Sequence, residues 1–131
     1  MENKPTNYYK ILHFTPAIVW GVVILYFSSL EREEVPTVLL SISDKLIHSG
    51  IYFLLSTLII LGYIRYNLKG VIKRKEIGLA LVYSLVLGGI TELIQEYLVP
   101  SRFGDWLDFW ANTIGAIAGV LILSLINKRW A

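Results

Sequence analysis

Polar and charged residues divide this chain into four long apolar blocks: Ile11 to Leu30, Leu46 to Ile64, Ile77 to Val99 and Leu107 to Ile126. Each is close to the roughly 20 residues a helix needs to cross a hydrocarbon core about 30 Å thick. The pattern predicts an all-α membrane protein. Its four transmembrane helices, at about 11–30, 46–64, 77–99 and 107–126, form a bundle occupying residues 1–131 as one domain. Between the first two blocks, Val38-Leu39-Leu40 follows Pro36 and predicts an interfacial turn or a short helix lying on the membrane. Lys4 and Lys10 precede the first block, as basic residues precede a secretion signal. The block is too long for one, however, and Glu31-Arg32-Glu33-Glu34 follows without a small-x-small cleavage site, so it reads as a retained span.

Composition agrees with this pattern. Only 17% of residues are charged and 55% are hydrophobic, whereas soluble domains carry about a quarter charged residues. A net charge of +2, with no recognition motif, gives no reason to expect a nucleic-acid partner. The absence of cysteine removes disulfides, thiolate metal sites and thiol catalysis. The basic residues decide orientation. Lys4, Lys10, Arg65, Lys69, Lys73, Arg74, Lys75, Lys128 and Arg129 fall on one side of the predicted bundle, and Arg32, Lys45 and Arg102 on the other. Short Lys/Arg-rich segments stay cytoplasmic, so both termini and the second loop are expected inside.

The candidate chemistry lies where polar residues interrupt the apolar blocks. Asp44, His48 and Tyr52 are spaced i, i+4, i+8 and share one helical face. The third block carries Glu92, Gln95 and Glu96 before Pro100 ends it; the connection then supplies Arg102 and Asp105. On the fourth, Asp105, Asp108, Asn112, Gly115 and Gly119 advance in steps of three and four, making one stripe. At 1.5 Å per residue, Glu92 lies roughly 9 Å below Leu98, Asn112 about 7 Å below Leu107 and His48 about 6 Å below Asp44. Three helices thus bring polar groups to one shallow level under the outer surface. Ionisable groups in hydrocarbon cost about 2.5–3.5 kcal/mol even on the lenient scale, so they are expected to turn inward and pair. Glu92 with Arg102, and His48 with Asp44 or Asp108, are the pairs expected.

Other polar positions have simpler readings. His13 is a lone, structural imidazole, Lys45 snorkels to the interface, and Glu96 and Asp105 are equally compatible with solvated helix-end charges. Tyr8, Tyr9, Trp106, Trp110 and Trp130 form an aromatic belt. Gly115 and Gly119 are a small-xxx-small pair suited to close helix packing.

At these residues the chain resembles the VanZ-like family of small bacterial membrane proteins. The matching segments are Asp44-Lys45-Leu46-Ile47-His48 with Tyr52, Glu92-Leu93-Ile94-Gln95-Glu96, Pro100-Ser101-Arg102, Asp105-Trp106-Leu107-Asp108, and Asn112-Thr113-Ile114-Gly115 with Gly119. That family takes its name from a protein associated with reduced susceptibility to teicoplanin. The resemblance implies a multi-pass protein of the bacterial cytoplasmic membrane.

Three function classes follow. The first is a cell-envelope protein binding a lipid or glycopeptide-like ligand in an outward polar pocket made by Asp44, His48, Tyr52, Glu92, Gln95, Arg102, Asp105, Asp108 and Asn112. The second is an enzyme on a lipid-linked substrate, with His48 as acid or base, Asp44 orienting it, and Glu92 or Asp108 as a second carboxylate. The third is a small transporter, against which the inner halves of all four helices are almost wholly apolar. No cofactor is expected. A divalent metal on Asp44, His48, Glu92 and Asp108 is an alternative without a recognised ligand spacing, so no metal is expected either. Membrane lipid is the expected partner, and an oligomer is compatible with the sequence.

Overall fold

The structure, a computed structural model, describes residues 7–67 and 70–127. Glu2, Lys4, Lys69, Lys128, Arg129, Trp130 and the side chain of Tyr8 lie outside the described residues. Helix α1 (Asn7–Ile11) passes through a 3-10 turn, Leu12–Phe14, into α2 (Thr15–Ser29). A second 3-10 turn, Arg32–Glu34, leads to α3 (Thr37–Leu40), a short helix where a turn or a short helix is expected after Pro36. The long helices α4 (Asp44–Tyr66), α5 (Arg74–Leu98) and α6 (Trp106–Asn127) follow. No strand occurs among the described residues.

Among the described residues, four segments are long and apolar enough to span a membrane: Tyr9–Ser29, Asp44–Tyr66, Arg74–Leu98 and Trp106–Asn127. Their outward faces are apolar, with Ile18, Val22, Val86, Leu93, Ile114 and Leu125 all exposed. Such a surface suits lipid rather than water.

The helix ends follow local chemistry. Pro16 sits in the first turn of α2, where its missing N–H costs nothing. Asp105 caps α6: its Oδ1 accepts the Leu107 amide at 2.8 Å, and its carbonyl accepts those of Asp108 and Phe109. In the α4–α5 connection, the buried Glu76 carboxylate accepts the Lys73 amide at 2.9 Å and the Asn67 side-chain amide at 2.8 and 3.0 Å.

The most extensive helix contact joins α4 to α6. Its cause is the small-residue stripe on α6. An added Cβ at Gly115 would sit 2.0 Å from the Ser49 carbonyl oxygen, and one at Gly119 would sit 2.5 Å from that of Phe53. With no side chain between them the backbones touch, and Ser49 Oγ donates to the Ala111 carbonyl at 3.0 Å. α2 is held differently. Near the α4 C-terminus, Phe14 covers Gly62 and meets the Tyr63 ring edge-on at 4.9 Å. Further along, the Trp20 indole N–H donates to the Ile51 carbonyl at 3.0 Å. Beyond Trp20, residues of α2, α3, α4 and the α5–α6 connection line a cavity at the end of the bundle that carries Asp44.

Candidate functional site

The cavity holds about 740 Å³. One wall is apolar, from Trp20, Val23, Ile24 and Phe27 of α2 with Leu39 and Leu40 of α3. The facing wall is polar, with Asp44, His48 and Tyr52 from α4, Thr91 and Gln95 from α5, and Asp105 and Asp108 at the start of α6. The i, i+4, i+8 face read from α4 is therefore the face turned to the cavity.

His48 is the centre of the polar wall. Its Nδ1 lies within hydrogen-bond distance of the Asn112 side-chain amide, 2.9 Å from Oδ1. Nε2 then points between two carboxylates, 3.8 Å from Asp44 Oδ1 and 3.7 Å from Asp108 Oδ2. Asp108 is 5% exposed and Asn112 2%. Buried carboxylates need a counter-charge, and Lys45 supplies it: its ammonium binds both Asp105 Oδ2, at 2.9 Å, and Asp108 Oδ1. The Asp105 carboxyl, outside the spans, is held below its ordinary range chiefly by that ammonium, with help from the Leu107 amide.

Behind the wall, α5 orders the loop that carries Asp105. Glu92 Oε2 accepts the Asp105 amide and Glu96 Oε2 the Gly104 amide, each at 2.8 Å. Gly104 has to be glycine, because a Cβ there would lie 2.8 Å from the Glu92 carbonyl oxygen. Asp105 thus joins three helices: α4 through Lys45, α5 through Glu92, and α6 through its own cap. Deeper in the cavity, the Tyr52 hydroxyl and Thr91 Oγ1 are 3.1 Å apart, with Tyr52 only 2% exposed.

One sequence expectation needs correction. Glu92 does not pair with Arg102. Its carboxylate is turned to the Asp105 amide, while Arg102 Nη1 donates to the Phe27 carbonyl at 3.2 Å, across the cavity mouth. The reason is reach: Arg102 lies on the α2 side of its loop and Glu92 on the α6 side. Lys45, read as snorkelling, keeps a side chain that is 42% exposed and pairs its ammonium with Asp105 and Asp108. Glu96 and Asp105, both compatible with simple solvated charges, instead take specific backbone amides. Glu92 and Asn112 do not face the cavity directly but support residues that do. The sequence analysis gave no place in the site to Lys45, Arg32, Ser101, Thr91 or Trp20. Of these, only Lys45 carried a readable signal, being a lone cation among Asp44, Asp105 and Asp108. As for metal binding, Asp44, His48 and Asp108 each offer a ligand atom within 4.8 Å of the others; Glu92 is not in this group.

Glu92 Oε1 is buried with no hydrogen-bond partner among the described residues. Glu92→Gln keeps an oxygen for the Asp105 amide and puts the new NH2 at that unpartnered position. It should melt within a few degrees of the parent, whereas Glu92→Ala orphans the amide and should cost about 1–3 kcal/mol. Melting curves in detergent separate the two.

The VanZ/LLP1 family matches residues 2–127 of the 131-residue chain, and the protein belongs to that family. No curated protein and no solved structure gives a significant match.

Proposed function

We propose that this VanZ/LLP1-family membrane protein binds an amphiphilic cell-envelope ligand, a lipid or a lipid-tailed glycopeptide-like molecule. The ligand's polar head meets the wall of Asp44, His48, Asp105 and Asp108, and its tail lies on the apolar α2 wall. The observation that carries this reading is the cavity itself: about 740 Å³, apolar on one side and polar on the other, in a protein whose outer surface is apolar. A pocket for a wholly polar solute has no use for the α2 wall, and a simple lipid groove has none for a Lys45–Asp108–His48–Asn112 network whose Asp108 and Asn112 are buried.

In this reading the Asp44 end faces outward from the bacterial cytoplasmic membrane. The support is the Lys/Arg asymmetry, with Arg65, Lys73, Arg74 and Lys75 at the opposite end. The chain has no native cysteine, so single cysteines report directly. A cysteine at Glu33 should react with an impermeant thiol reagent in intact cells, and one at Lys75 only after lysis. The reverse pattern would invert the protein and turn the pocket inward.

Family membership motivates the phenotype. Expression in a glycopeptide-sensitive Gram-positive host is expected to raise tolerance to a lipid-tailed glycopeptide more than to vancomycin, because the tail brings the drug to the membrane surface. His48→Gln keeps a donor for Asn112 but loses acid–base capacity, and should abolish the effect without altering the melting temperature. Equal or absent shifts for both drugs, with membrane expression verified, would remove the glycopeptide reading.

A second reading rests on one observation. His48 has one ring nitrogen fixed by Asn112 and the other between two carboxylates beside a ligand-sized cavity, an arrangement suited to a general acid or base on a lipid-linked substrate. Turnover of a bound lipid by the parent and not by His48→Gln would favour it.

A further inference from the structure

Resting on the amphiphile reading, we propose that the ligand is a phosphate-bearing lipid, that Arg32 and Arg102 hold its phosphate, and that its acyl chain enters sideways between α2 and α4. Three observations converge. Both arginines line the cavity, and their loops are tied together by the Arg32 amide, which donates to Ser101 Oγ at 3.0 Å. Neither guanidinium forms an ion pair within 4 Å among the described residues. The nearby Glu34 carboxylate is turned back onto the Glu31 amide at 2.9 Å, and Asp105 and Asp108 are engaged by Lys45. Two such guanidiniums at a membrane-level mouth suit a phosphate, which accepts several charge-assisted hydrogen bonds at once.

The second observation is a seam. A purely apolar gap of about 360 Å³ lies between α2 and α4, and Trp20, Ile42, Ile47 and Ile51 line both the gap and the cavity. These four side chains, with the Trp20–Ile51 hydrogen bond among them, are the only partition between gap and cavity among the described residues. The third is Gly50, on the wall of that gap, where an added Cβ would meet nothing within 4 Å. Gly115 and Gly119 are glycine because backbone presses on them, whereas Gly50 faces open space. An apolar passage of this kind admits a chain and excludes a free polar solute, and charge complementarity at the mouth selects the head.

The test uses the full chain in phosphatidylcholine nanodiscs with a trace of phosphatidate carrying a photoreactive group in its acyl chain. Crosslinks should concentrate on residues 17–27 of α2 and 46–51 of α4. Excess unlabelled phosphatidate should compete, while dioleoylglycerol and inorganic phosphate should not. Arg32→Gln/Arg102→Gln should weaken labelling about tenfold, the loss of charge-assisted hydrogen bonds. Gly50→Phe fills open space, so it should keep the melting temperature and still lose most of the labelling. Equal labelling of a stably folded Gly50→Phe would overturn the lateral route. Competition by dioleoylglycerol as strong as by phosphatidate would overturn the phosphate assignment and leave the amphiphile reading standing. Competition by inorganic phosphate would make the arginines a free-anion site and overturn the lipid assignment. Crosslinks spread over the lipid-facing sides of α5 and α6, with no saturation, would overturn this inference and the amphiphile reading together.

Discussion

Replacing Gly115 with alanine, a single added methyl group, is expected to lower the melting temperature in detergent by roughly 10 °C, a cost of about 3 kcal/mol. The new carbon would have to occupy a point 2.0 Å from the Ser49 carbonyl oxygen and 2.8 Å from its Cα. Those atoms are backbone in the second turn of α4, so no rotamer change relieves the clash and the two helices must separate. Separation breaks the Ser49–Ala111 hydrogen bond and draws His48 away from Asn112, so the damage reaches the candidate site. Gly78→Ala is the matched control. It lies in α5 with nothing within 4 Å of the added carbon, and should be neutral or stabilising by up to about 1 kcal/mol. If both variants melted alike, the close α4–α6 approach would not be what holds the bundle together.

The second large effect is expected at Lys45. Lys45→Met keeps the apolar stem and removes the ammonium shared by Asp105 and Asp108. Stranding a buried carboxylate costs about 3–5 kcal/mol. Here Asp108 has 7% of its side chain exposed but Lys45 has 42%, so water screens part of the loss. About 2–3 kcal/mol is the expected destabilisation. The informative variant is the double one. Asp108→Asn in the Lys45→Met background removes the stranded charge at nearly constant volume and should restore most of the stability. Asp105→Asn should not, because Asp105 is half-exposed and its main structural work is to cap α6. A Lys45→Met protein as stable as the parent would mean that Asp108 does not depend on the Lys45 ammonium.

Both effects explain how much of this protein can be read along the chain. Hydropathy acts within one segment, so four spans were legible, with bounds within a few residues of Asp44–Tyr66, Arg74–Leu98 and Trp106–Asn127. Helical periodicity acts at separations of three and four residues. The face of Asp44, His48 and Tyr52 and the stripe from Asp105 to Gly119 were therefore legible too, as was a turn or short helix after Pro36. The 3-10 turn at Leu12–Phe14 was not, because nothing in the local pattern distinguishes it from continuous helix.

What sequence alone determined is that this is a multi-pass helical membrane protein with polar groups from three helices gathered near one end, since one residue's hydrophobicity and its place in a helical turn suffice for that. Which groups meet was decided by the tertiary structure. Glu92 takes the Asp105 amide instead of Arg102, and Lys45 bridges Asp105 and Asp108, because contacts of 3 Å depend on how each helix is rotated and how closely it approaches its neighbour. The backbone contact at Gly115 and Gly119 sets that rotation for α4 and α6, while Phe14 and Trp20 fasten α2 to α4. The cavity is lined by residues from Trp20 to Asp108, brought together only by this packing, and no residue in the chain marks it in advance.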